Sequence, residues 1–288
     1  MRTFGTKRKT DKPGDAALAG RLVIVTGASS GIGYGAARRL AQVEGARVVA
    51  VARRRVFRIE ALAAQVREQT GEDRLFPLMT DMADRAQAEA VVHQVEEQFG
   101  RIDGFIHAVN RALKMGALDI SDPEFDLTMQ VNVKSALYGV QAVAPVLRRH
   151  GAGGIVIYNP TPRETADFVA SEAVYTAAAH ALSALTAGWT RQLDGSGVGV
   201  LEVAPSPDGE GADAVLSRSG AAHDALLIEA LREALGSSAT VPAAPSKISL
   251  FQFRQPQEPR PPQEPRPAQN ARQPQILRSH GGLVLTEF

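Results

Sequence analysis

The run Thr26-Gly27-Ala28-Ser29-Ser30-Gly31-Ile32-Gly33 has the residue types and spacing of a phosphate cradle. Glycines permit a tight turn and let backbone N–H groups approach a pyrophosphate, and a helix opening at the end of the run adds the partial positive charge of its N-terminus. Gly27, Ser29, Ser30, Gly31, Ile32 and Gly33 are therefore candidate nucleotide-binding residues. A second cluster, Arg53-Arg54-Arg55, follows the run Arg47–Ala52. A dinucleotide fold that prefers NAD places an acidic residue there, on the adenine ribose hydroxyls, yet the next carboxylate in this chain is Glu60. Guanidinium groups suit the additional 2′-phosphate of NADP through charge-assisted bidentate hydrogen bonds. The plain alternative is a solvated helix start. The spacing predicts NADP(H) in preference to NAD(H), with Arg53 and Arg54 as contacts.

Several other chemistries are excluded by composition. The chain has no cysteine, so thiolate nucleophiles, disulfides and cysteine-ligated metals are ruled out. The six histidines show no metal-ligand spacing, and no GxSxG elbow offers a hydrolase serine. A formal net charge of +1 gives no reason to expect nucleic acid or a membrane surface as partner. Residues 1–20 carry Lys7, Arg8, Lys9 and Lys12 without an apolar run, and no window approaches a membrane span. The expectation is a cytoplasmic protein.

The elements that must position these residues can be read from periodicity. Short β-rich runs at Leu22–Thr26, Arg47–Ala52, Leu75–Thr80, Gly104–Val109, Ile155–Tyr158 and Val198–Val203 alternate with helical patterns such as Ile59, Leu62, Ala63, Val66. Strands of about five residues, apolar on both faces and separated by helices, predict a parallel sheet covered on both sides. With right-handed crossovers this is a Rossmann-type, doubly wound α/β domain with ligands at the carboxyl ends of its strands. The expected organisation is an N-terminal tail over 1–19 and one domain over 20–239. A Pro/Gln/Arg-rich linker follows over 240–274, with the tandem PQEPRP at Pro256–Pro261 and Pro262–Pro267, and a closing strand over 275–288 completes the domain.

These residues resemble the short-chain dehydrogenase/reductase family. The loop Thr26–Gly33 fits the family's TGxxxGxG motif, and Asp81-Met82 resembles the position that contacts adenine. Phe99-Gly100-Arg101-Ile102-Asp103 precedes the fourth strand as in the family. Asn132-Val133-Lys134-Ser135 resembles the segment with the structural and catalytic asparagine, and Ile276–Leu283 resembles the closing strand. The likeness covers about residues 20 to 204 and resumes near 275. It implies a small-molecule carbonyl or alcohol substrate, with Tyr175 and Asn132 in catalytic roles. It also implies a homodimer formed through helices near Glu124–Arg149 and Glu172–Leu193.

The departures are specific. Where the family reads Asn-Asn-Ala-Gly, this chain has His107-Ala108-Val109-Asn110, so His107 is either a cofactor-site residue or a hydrogen-bonded strand end. The catalytic serine position falls on Pro160, and Thr161 supplies a hydroxyl only if the loop shifts by one residue. Tyr175-Thr176-Ala177-Ala178-Ala179 occupies the YxxxK site with Ala179 in place of lysine. His180 lies about 100° further round the helix and points elsewhere. Without lysine, Tyr175 is expected to stay protonated at neutral pH, which permits carbonyl reduction and starves alcohol oxidation. Three readings stay open: an NADP(H)-dependent reductase with a rebuilt site, a catalytically silent NADP(H) binder serving as sensor or scaffold, and an interaction protein carrying the proline-rich segment to a partner.

Overall fold

Six short apolar runs, each bounded by glycine or polar turns, become six parallel strands because helices of 8 to 20 residues return the chain to the same edge between them. The computed structural model describes residues 18–159, 172–204 and 221–235, which belong to one compact unit. The order is β1 (Leu22–Thr26), α1 (Gly31–Gln42), β2 (Arg47–Ala52), α2 (Val56–Thr70), β3 (Leu75–Met79), α3 (Arg85–Phe99) and β4 (Gly104–His107). Then come α4 (Asp122–Met129), a π-helical turn (Gln130–Lys134), α5 (Ser135–His150), β5 (Gly153–Tyr158), α6 (Ala173–Gln192), β6 (Val198–Val203) and α7 (Ala221–Ala234). The sheet runs β3-β2-β1-β4-β5-β6, so the chain reverses its direction of winding between β1 and β4. In a doubly wound sheet that reversal opens a crevice at the carboxyl ends of the strands.

Strand alternation divides the core into two layers. Val23, Val25, Val48 and Ala50 face α1, α2 and α7, meeting Leu40, Leu62 and Leu231. Leu22, Ile24, Val49 and Ile155 face α3, α5 and α6, meeting Val95, Val143 and Trp189. Trp189 is thus a core residue, 8% exposed. At the amino edge, buried Asp103 accepts hydrogen bonds from the Leu22 N–H at 2.8 Å and from Arg21 at 3.1 Å, and also binds Arg101. A carboxylate compensated in this way ties β1 to the turn before β4, the two strands that flank the crevice.

The strands expected over Leu75–Thr80 and Gly104–Val109 end earlier, at Met79 and His107, since the chain peels away there to line the crevice. The single long helix expected over Glu124–Arg149 is interrupted by the π turn, which carries Asn132 at its centre. Single π turns inside helices concentrate at functional positions. The helix α7, Ala221–Ala234, follows β6 among the described residues. Thr161, the proline-rich segment and the expected closing strand lie outside the described residues.

α7 lies close on the sheet because β5 and β6 present paired glycines, Gly154 beside Gly199. A Cβ added at Gly199 would stand 2.2 Å from the Ala234 carbonyl oxygen, and backbone cannot give way as a side chain can. Gly188, inside α6, has open space instead. Gly199→Ala is therefore expected to lower stability by about 1–3 kcal/mol, while Gly188→Ala raises it by about 0.5–1 kcal/mol. Urea denaturation midpoints check both, and an unchanged midpoint for Gly199→Ala would contradict the packing of α7.

Candidate active site

The crevice has a volume of about 470 Å³ and runs along the carboxyl ends of β1 to β5, within the range of nucleotide and drug-sized sites. Its floor begins at Gly27, whose φ of +73° is one that side-chain-bearing residues rarely adopt. A Cβ there would sit 2.4 Å from the Ala108 carbonyl oxygen, so the loop after β1 rests directly on the chain leaving β4. Gly33 packs as closely under the loop, 2.6 Å from the Gly27 oxygen by the same measure, and supports the crevice without lining it. Ser29, Ser30, Gly31 and Ile32 do line it.

The start of α1 is left open for a ligand. Ser30 is its N-cap, yet the serine side chain makes no capping hydrogen bond, and the first turn carries no acidic residue. Unspent N–H groups at a helix start, with the helix's partial positive charge, suit an anion. The far wall is cationic: Arg53, Arg54 and Arg55 all line the crevice. Arg55 sits at φ 57°, ψ 36°, the only non-glycine residue at positive φ among the described residues. Such a conformation is uncommon for a side-chain-bearing residue and concentrates at ligand sites. Arg53 lies 3.4 Å from Asp81, a pair too exposed to count for much stability. Asp81 is fixed from both sides, its N–H donating to Gln87 and its carboxylate accepting from the Ala83 N–H at 2.9 Å. Met82 lines the same wall. These residues fit a dinucleotide with an extra phosphate, since donors and cations converge on one crevice with no carboxylate at the end of β2.

At the other end the crevice narrows into a small cavity, about 10 Å³ and close to the size of one water, which brings Tyr175, Asn132 and Ala179 together. Tyr175, on the first turn of α6, is 3% exposed. Ala179 stands one turn later on the same wall, whereas His180 is exposed on another face. The Asn132 side chain accepts from the Arg111 N–H at 2.7 Å and donates to the Arg111 carbonyl at 2.9 Å. It therefore fixes the chain after β4. Arg111 extends along the crevice wall to Glu124 at 2.6 Å and Thr128 at 3.2 Å.

His107 does not line the crevice. It is fully buried beneath it, with Nδ1 3.0 Å from Thr26 Oγ1 and Nε2 3.2 Å from Ser135 Oγ. Ser135 donates its hydroxyl proton to the Val131 carbonyl. Nε2–H then donates to Ser135, and Nδ1 accepts from Thr26. Burial pushes the imidazole pKa down to about 3.

Four residues stand in the site that were given no role in it from the sequence. Tyr158 borders both the crevice and the small cavity. Asn159, 3% exposed, donates from Nδ2 to the Ala179 carbonyl at 2.9 Å and to Glu202 at 3.0 Å, tying β5, α6 and β6 around the cavity. Arg111 and Ser135 complete the wall.

The buried imidazole gives a pH dependence of known sign. Its folded pKa lies below the usual value near 6.5, so between pH 6.5 and 3 the unfolded chain binds a proton that the folded chain refuses. Stability is present above that window and falls as pH drops through it, by about 2 kcal/mol for this group between pH 7 and pH 5. His107→Asn is expected to flatten that part of the melting-temperature profile. Parallel profiles for wild type and variant would contradict the assignment.

Comparison with known proteins agrees with this geometry. The sequence profile of the family described as short chain dehydrogenase matches residues 21–208. Levodione reductase of Leifsonia aquatica is 30% identical over 186 residues, covering 64% of this chain and 68% of its own. A metagenomic short-chain oxidoreductase solved in complex with NADP superposes with a TM-score of 0.64 at 26% identity, covering 75% of this chain and 92% of its own. L-Sorbose reductase of Gluconobacter frateurii, solved with NADPH and L-sorbose, superposes with a TM-score of 0.60 at 25% identity, covering 66% and 72%. The profile spans all six strands, the cradle after β1 and the tyrosine of α6, and by these signs the chain belongs to the short-chain dehydrogenase family.

Proposed function

We propose that this chain is an NADPH-dependent carbonyl reductase working slowly from a rebuilt site. The observation that carries the reading is a crevice with three arginines and an uncapped helix start, adjoined by a small cavity that holds Tyr175 and shares Val109, Asn110 and Tyr158 with it. Gly27, Ser29, Ser30, Gly31, Ile32 and Gly33 would form the pyrophosphate cradle, and Arg53 and Arg54 would take the 2′-phosphate. Asp81 and Met82 would border the adenine. NADP and NADPH in the two superposed relatives support the same choice of nucleotide. The bound nucleotide supplies hydride; the chain orients it, excludes water and supplies the proton. Tyr175 is the proton donor to the carbonyl oxygen, and Asn132 holds the loop that faces it. Thr161 is retained as a candidate hydroxyl on the segment between β5 and α6.

Ala179 limits what this site can do. No cation assists the phenol from one turn along α6, and the described lysines, Lys114 and Lys134, line neither the crevice nor the cavity. A protonated tyrosine can still donate to a carbonyl being reduced, whereas alcohol oxidation needs the phenolate. The same alanine favours a second reading, a silent NADP(H) binder acting as sensor or scaffold. No helix among the described residues is long and apolar enough to cross a membrane, and a cytoplasmic homodimer joined through α4, α5 and α6 fits this reading.

Nucleotide fluorescence titration tests the binding half. NADPH is expected to bind at least about tenfold more tightly than NADH, and Arg53→Ala to remove about tenfold of that preference, the scale of one charge-assisted hydrogen bond. Equal binding of the two nucleotides would contradict the arginine assignment. For the chemical half, Tyr175→Phe should abolish reduction without weakening NADPH. Ala179→Lys should raise alcohol oxidation at neutral pH. Ready oxidation by the wild type at pH 7 would overturn the proposal. Light scattering at the mass of two chains fits the dimer, and a mass near four chains contradicts it.

A further inference from the structure

The row of residues at the carboxyl edge of the sheet includes Ala52, Gly27, Ala108 and Tyr158, in the order of the strands they end or follow. Three of the four are small, which keeps the crevice floor low. Tyr158 alone carries a large side chain, and its position is not an ordinary place for a core tyrosine. It is 5% exposed, and its hydroxyl has no hydrogen-bond partner among the described residues. Buried phenols almost always find a partner, and one without it costs stability. Together with Val109 and Asn110, Tyr158 borders both the nucleotide crevice and the small cavity that holds Tyr175.

Resting on the reductase reading above, we propose that Tyr158 is a second catalytic phenol, which donates a hydrogen bond to the substrate carbonyl oxygen beside Tyr175. The oxygen has to lie where crevice and cavity meet, because hydride comes from the crevice side and the Tyr175 proton from the cavity side. Tyr158 stands at that junction. In the reduction, hydride from NADPH forms the new C–H bond at the carbonyl carbon. The C=O π pair takes the Tyr175 proton, and Tyr158 keeps its own proton throughout. Burial and the neighbouring Tyr175 both push the Tyr158 pKa up, so its hydroxyl stays a donor at every working pH. Pro160, two residues further on, has no hydroxyl to offer, and Tyr158 brings one to the same end of β5. A substrate with a carbonyl or similar acceptor satisfies the orphaned group; the free protein leaves it unsatisfied.

Tyr158→Phe keeps the ring and removes only the hydroxyl. Three measurements are made on the full chain: thermal midpoint without nucleotide, NADPH dissociation constant by fluorescence, and kcat/KM for NADPH-dependent reduction of a panel of ketones and aldehydes. The expected results are a raised midpoint, an NADPH constant within twofold of wild type, and kcat/KM lower by about 100-fold, the scale of one lost donor to a developing oxyanion. A lowered midpoint would mean that the hydroxyl is bonded within the protein and would overturn the inference. Unchanged kcat/KM would overturn it as well. Failure of the wild type to bind NADPH sinks the reductase reading itself, whereas a wild type that binds and reduces while Tyr158→Phe matches it sinks this inference alone.

Discussion

Parallel pairing in a single register is the constraint on which the site depends. Leu78, Val51, Thr26, His107, Ile157 and Glu202 form one continuous row across the sheet. Every strand therefore finishes at nearly the same height, and the loops that follow open onto one edge. The contact of Gly27 with the Ala108 carbonyl brings the loops after β1 and β4 together at the winding reversal. The bonds of His107 to Thr26 and Ser135 tie that row to the start of α5 just below the crevice floor. Thr26, His107 and Ser135 are matched to one another there, which stiffens the chain beneath the loops that line the crevice.

The site itself shows the opposite balance. The helix start at Ser30 is left without its side-chain cap, Arg55 holds a left-handed conformation, and Tyr158 buries a hydroxyl without a described partner. Each of these costs stability in the free protein, and all three face the same crevice or its inner end. Local violations of folding preference tend to gather at functional sites. Here they lie along the crevice and the small cavity at its inner end.

Much of this could be read from the chain. The apolar runs gave β1 and β2 residue for residue, because a strand buried on both faces leaves an unbroken signal between turns, and β6 matched as well although it is only partly buried. The glycine run and the arginine cluster were legible as crevice-lining segments because each follows directly on a strand that ends at the same edge. Tyr158 was not, since the run Ile155–Tyr158 looks like uninterrupted core until the cavity beyond its end is known. Asn159 binds Ala179 and Glu202, 20 and 43 residues away, and no spacing rule connects such partners. Asn132 was picked out from its motif, but its bonds to Arg111, a contact across 21 residues, were not legible. The π turn that presents it leaves no mark in a helical pattern that continues on both sides.

Ala179 makes turnover the central question, because the fold and the crevice are compatible with both a slow reductase and a silent relative. NADPH deuterated at C4 resolves it. Wild-type protein is incubated with the labelled nucleotide and a panel of ketones and aldehydes, and the alcohols formed are examined by mass spectrometry. The account predicts deuterium on the carbinol carbon of at least one product, absent when Tyr175→Phe replaces the wild type. NADPH that binds tightly yet transfers deuterium to none of them would contradict it and leave the nucleotide as a structural or sensory ligand.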